Sequence, residues 1–193
     1  MPHRVTAGIL AGGASSRMGT NKALVPFAGK PLLARQLDVL RPLFERVLLG
    51  ANDPRPYAAF GIDVVPDLLP TRCALTGIHA LVAASPTEAV FVVGCDLPFL
   101  NPRLIEAILE RRAGADAVVP ESDAGPEPLH ALYTRACLPA IEECAARGEW
   151  KATAFHGAVR VDRWRVRDSE WAVDARSPFL NVNTPDDLRR AGP

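Results

Sequence analysis

Residues 4–24 read RVTAGILAGGASSRMGTNKAL, and where this stretch divides decides the fold. Residues 4–10 are near-continuously hydrophobic, the pattern of a strand buried on both faces, as in a parallel sheet. The run breaks at Gly12-Gly13 and passes into a polar loop that carries Arg17, Gly19 and Lys22. In an open α/β sheet, ligands sit beyond the carboxyl ends of the strands. A loop of this composition at that place is expected to hold an anion. Glycines permit positive φ and close backbone approach, so successive N–H groups can form an anion nest. Arg17 adds a planar fork of donors and Lys22 a movable point charge. Together they suit two or three linked phosphates, whereas the bland alternative is a flexible Gly/Ser turn with solvated charges. Neither familiar phosphate loop fits. Adjacent glycines break the G-x-G-x-x-G pattern, and Lys22, three residues after Gly19 and followed by Ala23, is not the Gly-Lys-Ser/Thr of a Walker loop.

Working outward, the same alternation repeats. Residues 46–51, 62–66, 89–94 and 116–120 read as further buried strands, and 31–44, 75–84 and 102–113 as helices. Leu104, Ile105, Ile108 and Leu109, for example, fall on one helical stripe. Strand, helix, strand in succession predicts an α/β fold with a doubly wound, mostly parallel sheet and helices on both faces. From about residue 121 the pattern loosens, with 128–134 a possible strand, 136–148 a helix and 158–166 a late strand. No low-complexity linker divides the chain, so residues 1–193 are expected to form a single domain. The tryptophans at 150, 164 and 171 read as core packing.

Polar residues follow the strands: the loop above after the first, Asn52-Asp53 after the second, Pro66-Asp67 after the third, and Cys95-Asp96 after the fourth. Four such strand ends would converge on one crevice. Asn101 is the natural cap of the helix that follows Asp96, which frees Asp96 for other work; the alternative for Asp96 is a turn residue. Asp67 reads either as a ligand contact or as a Pro-Asp turn, and Asn52 either as a contact or as an Asx turn. In NVNTPDDL (181–188), Thr184, Pro185 and Asp187 make a helix start with a short-acid capping box. Asn181 and Asn183, flanking Val182, would point to one side if the segment is extended. His130 is either a substrate contact or an imidazole satisfied by neighbouring backbone.

The 193 residues are 48% hydrophobic and 23% charged, an ordinary globular composition. Lys plus Arg equals Asp plus Glu at 22 each, so no global field attracts nucleic acid or an acidic membrane, and any phosphate site must be local. The four cysteines show no CxxC spacing, which argues against zinc or a disulfide framework and for reduced thiols. The N-terminal apolar run is too short and too broken by glycine for a signal peptide or membrane span, so a cytoplasmic location is expected.

LAGGASSRMGTNKAL (10–24) resembles the L-A-G-G-x-S-x-R-M-G-x-x-K signature of a nucleotidyltransferase group. The likeness to the molybdenum cofactor guanylyltransferases, the MobA family, runs nearly end to end and closes with FLNVNTPDDL (179–188). The resemblance implies a Rossmann-like sheet of the nucleotide-diphospho-sugar transferase type. It implies transfer of GMP from GTP to molybdopterin cofactor, with release of pyrophosphate. It implies nucleotide contacts from Leu10, Ala11, Gly12, Gly13, Arg17, Lys22, Asn52, Asp67 and Asp96, of which Arg17, Lys22 and Asp96 are catalytic. It further implies Mg2+ on Asp96, and Asn181 and Asn183 facing the crevice on the acceptor side. A monomer is expected, with transient contact to cofactor-delivery proteins, and no nucleic-acid or membrane partner.

The guanylyl branch typically has L-A-G-G, C-D-x-P and N-V-N-T-P; the cytidylyl branch tends to L-A-A-G, G-D-x-P and D-x-D-T-P. LAGG, CDLP and NVNTP here favour GTP. The rivals are cytidylyl transfer, a sugar-1-phosphate nucleotidyltransferase, and a non-catalytic nucleotide-binding protein. Two departures stand out. CALTG (73–77) replaces the usual G-P-L-x-G, and Asn21 precedes Lys22 where an acidic residue is common.

Overall fold

The structure, a computed structural model, describes residues 5–11, 21–173 and 176–192. The first apolar run forms β1 (Val5–Leu10), buried along its whole length. After a small hairpin of β2 (Pro26–Phe27) and β3 (Lys30–Pro31) come α1 (Leu32–Leu43), β4 (Val47–Gly50) and β5 (Asp63–Val65). Next follow α2 (Ala74–Ala84), β6 (Ala89–Gly94) and α3 (Pro102–Glu110). The second half adds β7 (Ala117–Ser122), β8 (Gly125–Pro126), β9 (His130–Thr134), α4 (Leu138–Ala146), β10 (Val161–Arg165) and α5 (Pro185–Ala191).

Among the described residues, eight strands make one sheet in the order β10-β7-β9-β6-β1-β4-β5, with β8 paired to β7. β1 runs parallel to both β4 and β6, and β5 parallel to β4. The short β8 is antiparallel to β7, and within the main path the exception is β9, antiparallel to β6 and to β7. Its direction has a simple cause. Only residues 123–129 separate β7 from β9, and a parallel crossover needs a dozen residues or more. The expected α/β, doubly wound and mostly parallel architecture is therefore the one observed, with one reversed strand in the middle.

Strand alternation explains why both faces are covered. From β1, Val5, Ala7 and Ile9 face one layer and Leu10 the other. In β6, Phe91 and Val93 join the first layer, while Val90 and Val92 join the second. The first layer is closed by Leu33, Leu37 and Leu40 of α1 with Leu104, Ile105 and Ile108 of α3. The second is closed by Leu75, Ile78 and Leu81 of α2 with Ile141 and Cys144 of α4. Trp164 and Trp171 meet edge to face at 5.7 Å between centroids on the first layer, and Trp150 packs on the second. A smaller cluster of Phe27, Leu32, Phe99, Val182 and Ala191 ties the C-terminal segment to β2, the start of α1 and the loop after β6.

Two glycines let parts come closer than a side chain would permit. A Cβ on Gly77 would lie 2.5 Å from Leu10 Cδ2, so a larger residue there would make the Leu10 side chain shift. A Cβ on Gly94 would lie 2.6 Å from Asp96 Oδ1. The Asp96 carboxylate thus folds back over the end of β6.

Candidate nucleotide site

Register brings the strand ends together. Leu10 pairs with both Gly50 and Gly94, and Gly50 pairs with Val65. Ala11, Asn52, Asp67 and Asp96 therefore sit one or two residues past four neighbouring strands, on one edge of the sheet. This convergence follows from parallel pairing, which puts all carboxyl ends on the same side. Gly12, Gly13 and Arg17 lie outside the described residues; Lys22 lies inside them.

Lys22 opens a short 3-10 turn, Lys22–Leu24. Asn21 caps it: its Oδ1 accepts from Ala23 N at 3.2 Å, and its Nδ2 donates to Tyr57 Oη at 2.8 Å. A carboxylate could accept both bonds but donate neither. The departure at Asn21 thus has a local role, anchoring the base of Lys22 to a buried tyrosine. Burial raises the Tyr57 hydroxyl above its ordinary range, with the Asn21 bond acting against that.

The Lys22 ammonium donates to Asn183 Oδ1 at 2.7 Å. Asn183 is presented by the segment leading into α5. There the Thr184 hydroxyl accepts from Asp187 N at 3.0 Å, and the Asp187 carboxylate accepts from Asn183 N and Thr184 N at 2.9 Å each. This is the expected capping box. Around Val182 the segment differs from expectation in that it belongs to no strand. It is held instead by Val182 N donating to the Asp96 carbonyl at 2.9 Å and by burial of the Val182 side chain. Asn181 and Asn183 do flank a buried residue, but they take different partners. Asn183 reaches Lys22, whereas Asn181 Nδ2 donates to the Phe179 carbonyl of its own segment at 3.3 Å.

Asp96 occupies the turn after β6, where Leu97 N donates to the Gly94 carbonyl at 3.3 Å. Asn101 caps α3, accepting from Arg103 N at 2.9 Å and Leu104 N at 3.3 Å, so Asp96 is not spent as a cap. Burial pushes the Asp96 carboxyl above the ordinary range, while the nearby Lys22 charge pulls it back. The adjacent Cys95 thiol is pushed up to about 12, chiefly by burial and then by Asp96. It stays protonated and unreactive at neutral pH.

On the other side of β1, Asn52 and Asp67 hold each other. Asn52 Nδ2 donates to Asp67 Oδ2, and Asp67 N donates to Asn52 Oδ1, both at 2.8 Å. The pair locks two strand ends into one platform. The CALTG departure also has a local account. Cys73 is extended, with φ −155° and ψ 177°, and serves as the N-cap of α2 with Thr76, so no glycine conformation is required there.

His130 meets neither reading offered by the sequence. It is fully buried, and neither ring nitrogen has a hydrogen-bond partner. Its ring instead meets Phe91 and Phe179 edge-on, each at 5.3 Å. Burial pushes the imidazole down to about 3, so it is neutral in the folded protein. In the unfolded chain it titrates near ~6.5. Below that pH the unfolded state binds a proton that the folded state does not, and stability falls as pH drops from about 6.5 towards 3. His130→Phe, which removes the unpaired nitrogens, is expected to recover about 2 kcal/mol of the loss between pH 6.5 and 5. Urea titrations of both proteins at the two pH values measure this; equal acid losses in both would refute it.

Sequence reasoning passed over Gln36, Tyr57 and Gly94. Gln36 had a visible signal, a polar residue on the apolar stripe Leu33, Leu37, Leu40 of α1. Its Nε2 donates to the Gly94 carbonyl at 2.7 Å and the Leu97 carbonyl at 3.0 Å, the two ends of the turn that carries Asp96.

The model of the MobA-like NTP transferase domain matches residues 7–161. The chain belongs to this family. It is 35% identical to a probable molybdenum cofactor guanylyltransferase of Pelotomaculum thermopropionicum, covering 97% of this chain and 92% of the relative. It is also 35% identical to the molybdenum cofactor guanylyltransferase of Desulfosudis oleivorans, with 97% and 94% covered. Among solved structures it is similar to the molybdopterin-guanine dinucleotide biosynthesis protein A of Archaeoglobus fulgidus. The two are 28% identical and superpose with a TM-score of 0.81 over 96% of each chain. In family terms, the Lys22–Asn183 contact links the first motif to the last across the whole length of the chain.

Proposed function

We propose that this protein is a molybdenum cofactor guanylyltransferase, transferring GMP from GTP to the phosphate of molybdopterin cofactor and releasing pyrophosphate. The observation that carries the reading is the convergence of Lys22, Asp96 and Asn183 at the carboxyl edge of β1 and β6, in a chain whose relatives bear that name along nearly its full length. The intact LAGG, CDLP and NVNTP motifs support guanine over cytosine.

The attacking group is a phosphate whose second pKa is near ~6, so it is largely ionised at neutral pH and needs no general base. Lys22, freed from Asn183, would neutralise charge on the departing pyrophosphate, and Arg17 with the Gly12-Gly13 backbone would hold it from the other side. Asn52 and Asp67 would form the nucleotide platform. Asn183, and Asn181 with it, would face the acceptor. The Asp96 carboxylate would hold Mg2+, which supplies charge neutralisation across the nucleotide phosphates.

The donor set fits such an ion. Among the described residues there is no cluster of three or more His, Cys, Asp or Glu that could hold a metal. One carboxylate plus substrate phosphates is how Mg2+ is commonly bound, keeping several waters. Reduced cysteines and the lack, among the described residues, of any helix long and apolar enough to cross a membrane are consistent with a cytoplasmic enzyme.

Pyrophosphate release with molybdopterin, measured with GTP and CTP in parallel, tests the reading. GTP is expected to exceed CTP in kcat/KM by at least about a hundredfold, because a site built to hydrogen-bond one base leaves polar groups unpaired with the other. Faster release with CTP would make the protein a cytidylyltransferase. GTP binding with no release would make it a binding protein.

A further inference from the structure

We propose that Gln36 is a positioning residue for Asp96, fixing from α1 the turn on which the metal-binding carboxylate is carried. The inference rests on the assignment of Asp96 made above.

The Gly94–Leu97 turn is held from several sides. Cys95 N donates to the Leu10 carbonyl at 3.0 Å, Gly94 N to the Leu129 carbonyl at 2.9 Å, and Val182 N to the Asp96 carbonyl at 2.9 Å. These backbone bonds come with the fold. The Gln36 amide is different, because it is a side-chain choice at a position where the helix asks for an apolar residue. One –NH2 group spans the carbonyls at both ends of the turn and so sets its width. The Asp96 carboxylate that this turn carries lies close over Gly94, its Oδ1 2.6 Å from where a Cβ on that residue would stand.

An amide is an unusual side chain for this core-facing position. The residue is buried, and its Oε1 has no hydrogen-bond partner. An apolar side chain of the same length would spare the unpaired Oε1 but take away the donor that the Gly94 and Leu97 carbonyls share. Natural chains break local rules of this kind chiefly where function requires it. What the amide supplies here is a fixed aim for Asp96. A misplacement of about 1 Å at a reacting centre can cost on the order of a hundredfold in rate.

The test uses the full chain with Gln36→Met, which keeps the length and removes the donors. GTP affinity is measured by calorimetry in EDTA and in Mg2+, alongside kcat and KM. Gln36→Met is expected to keep its affinity in EDTA within about twofold and to lose about tenfold of the gain that Mg2+ confers on the wild type. kcat should fall by about tenfold or more, with KM for GTP in Mg2+ rising in step with the lost affinity and KM for the acceptor nearly unchanged. Leu40→Ala, a core truncation one turn along α1, should lower Tm yet leave the Mg2+ gain intact. Gln36→Glu, which has at most one donor, serves as the second variant should Gln36→Met fail to fold, and is expected to lose the same gain. A Mg2+ gain within twofold of wild type in either folded variant, or an equal loss in Leu40→Ala, overturns the positioning role. Asp96→Asn run in parallel separates the two claims. If it abolishes the Mg2+ gain while the Gln36 variants keep it, only the positioning role fails; if it keeps the gain, the Asp96 assignment fails and the inference with it.

Discussion

Asp96→Asn is expected to reduce turnover by about a hundredfold or more while leaving the protein at least as stable. The first half follows from charge. Asparagine keeps the shape of the side chain over Gly94 but cannot supply the negative oxygen that a divalent cation prefers. Removing one preorganised charge-stabilising group costs on the order of a hundredfold in kcat, about 2.7 kcal/mol. The second half follows from burial. The fold pushes the Asp96 carboxyl above its ordinary range, which means that the ionised form is less comfortable in the folded protein than in water. A neutral side chain of equal size escapes that penalty. Loss of activity joined to unchanged or higher Tm is the signature of a group kept for chemistry at the expense of stability. Steady-state pyrophosphate release and a thermal melt measure the two halves. Near-normal turnover in the folded variant would remove Asp96 from the mechanism.

Lys22→Ala is expected to be comparably severe, a fall of about a hundredfold in kcat/KM for the nucleotide. The lysine sits on a turn anchored through Asn21 to Tyr57, so its backbone is fixed while its ammonium reaches across to Asn183. That contact is to a neutral amide oxygen at the surface. It holds the side chain in the site yet can be given up to a phosphate, whose full negative charge makes it the stronger acceptor for the ammonium. The variant should keep its Tm, because an exposed bond of this kind contributes little to folding. If kcat/KM for the nucleotide is unchanged in the folded variant, the lysine does not grip the leaving group. Loss confined to KM of the acceptor would place Lys22 on the acceptor side, with Asn183.

Much of this site can be read from the sequence, and for identifiable reasons. Continuous hydrophobicity in residues 5–10 and 89–94 marks strands buried on both faces, and polar residues just after them mark the ligand edge. The Asn101 and Thr184 caps are local hydrogen-bond devices, so local sequence suffices to find them. His130 shows the opposite case. A histidine in an apolar strand looks like either a ligand or a satisfied core residue. Only the placement of Phe91 on β6 and Phe179 on a distant segment decides that it is an unpaired ring between two aromatic edges. The Asn181-Val182-Asn183 alternation similarly suggests a strand, yet the bond from Val182 N goes to a turn carbonyl rather than to a ladder. Gln36 carried a readable warning, but the carbonyls it serves lie about sixty residues away.

The sequence by itself determined the order of strands and helices, the two buried faces and the residue types at the ligand edge, because periodicity and capping act over a few residues. The tertiary structure decided which of those residues meet. Lys22 finds Asn183 across 161 positions of chain, Asn52 pairs with Asp67, and Gln36 reaches under Asp96. It also set the reversed direction of β9 between two parallel neighbours. These outcomes depend on sheet order and close approach between layers, which are long-range consequences of packing that no local pattern encodes.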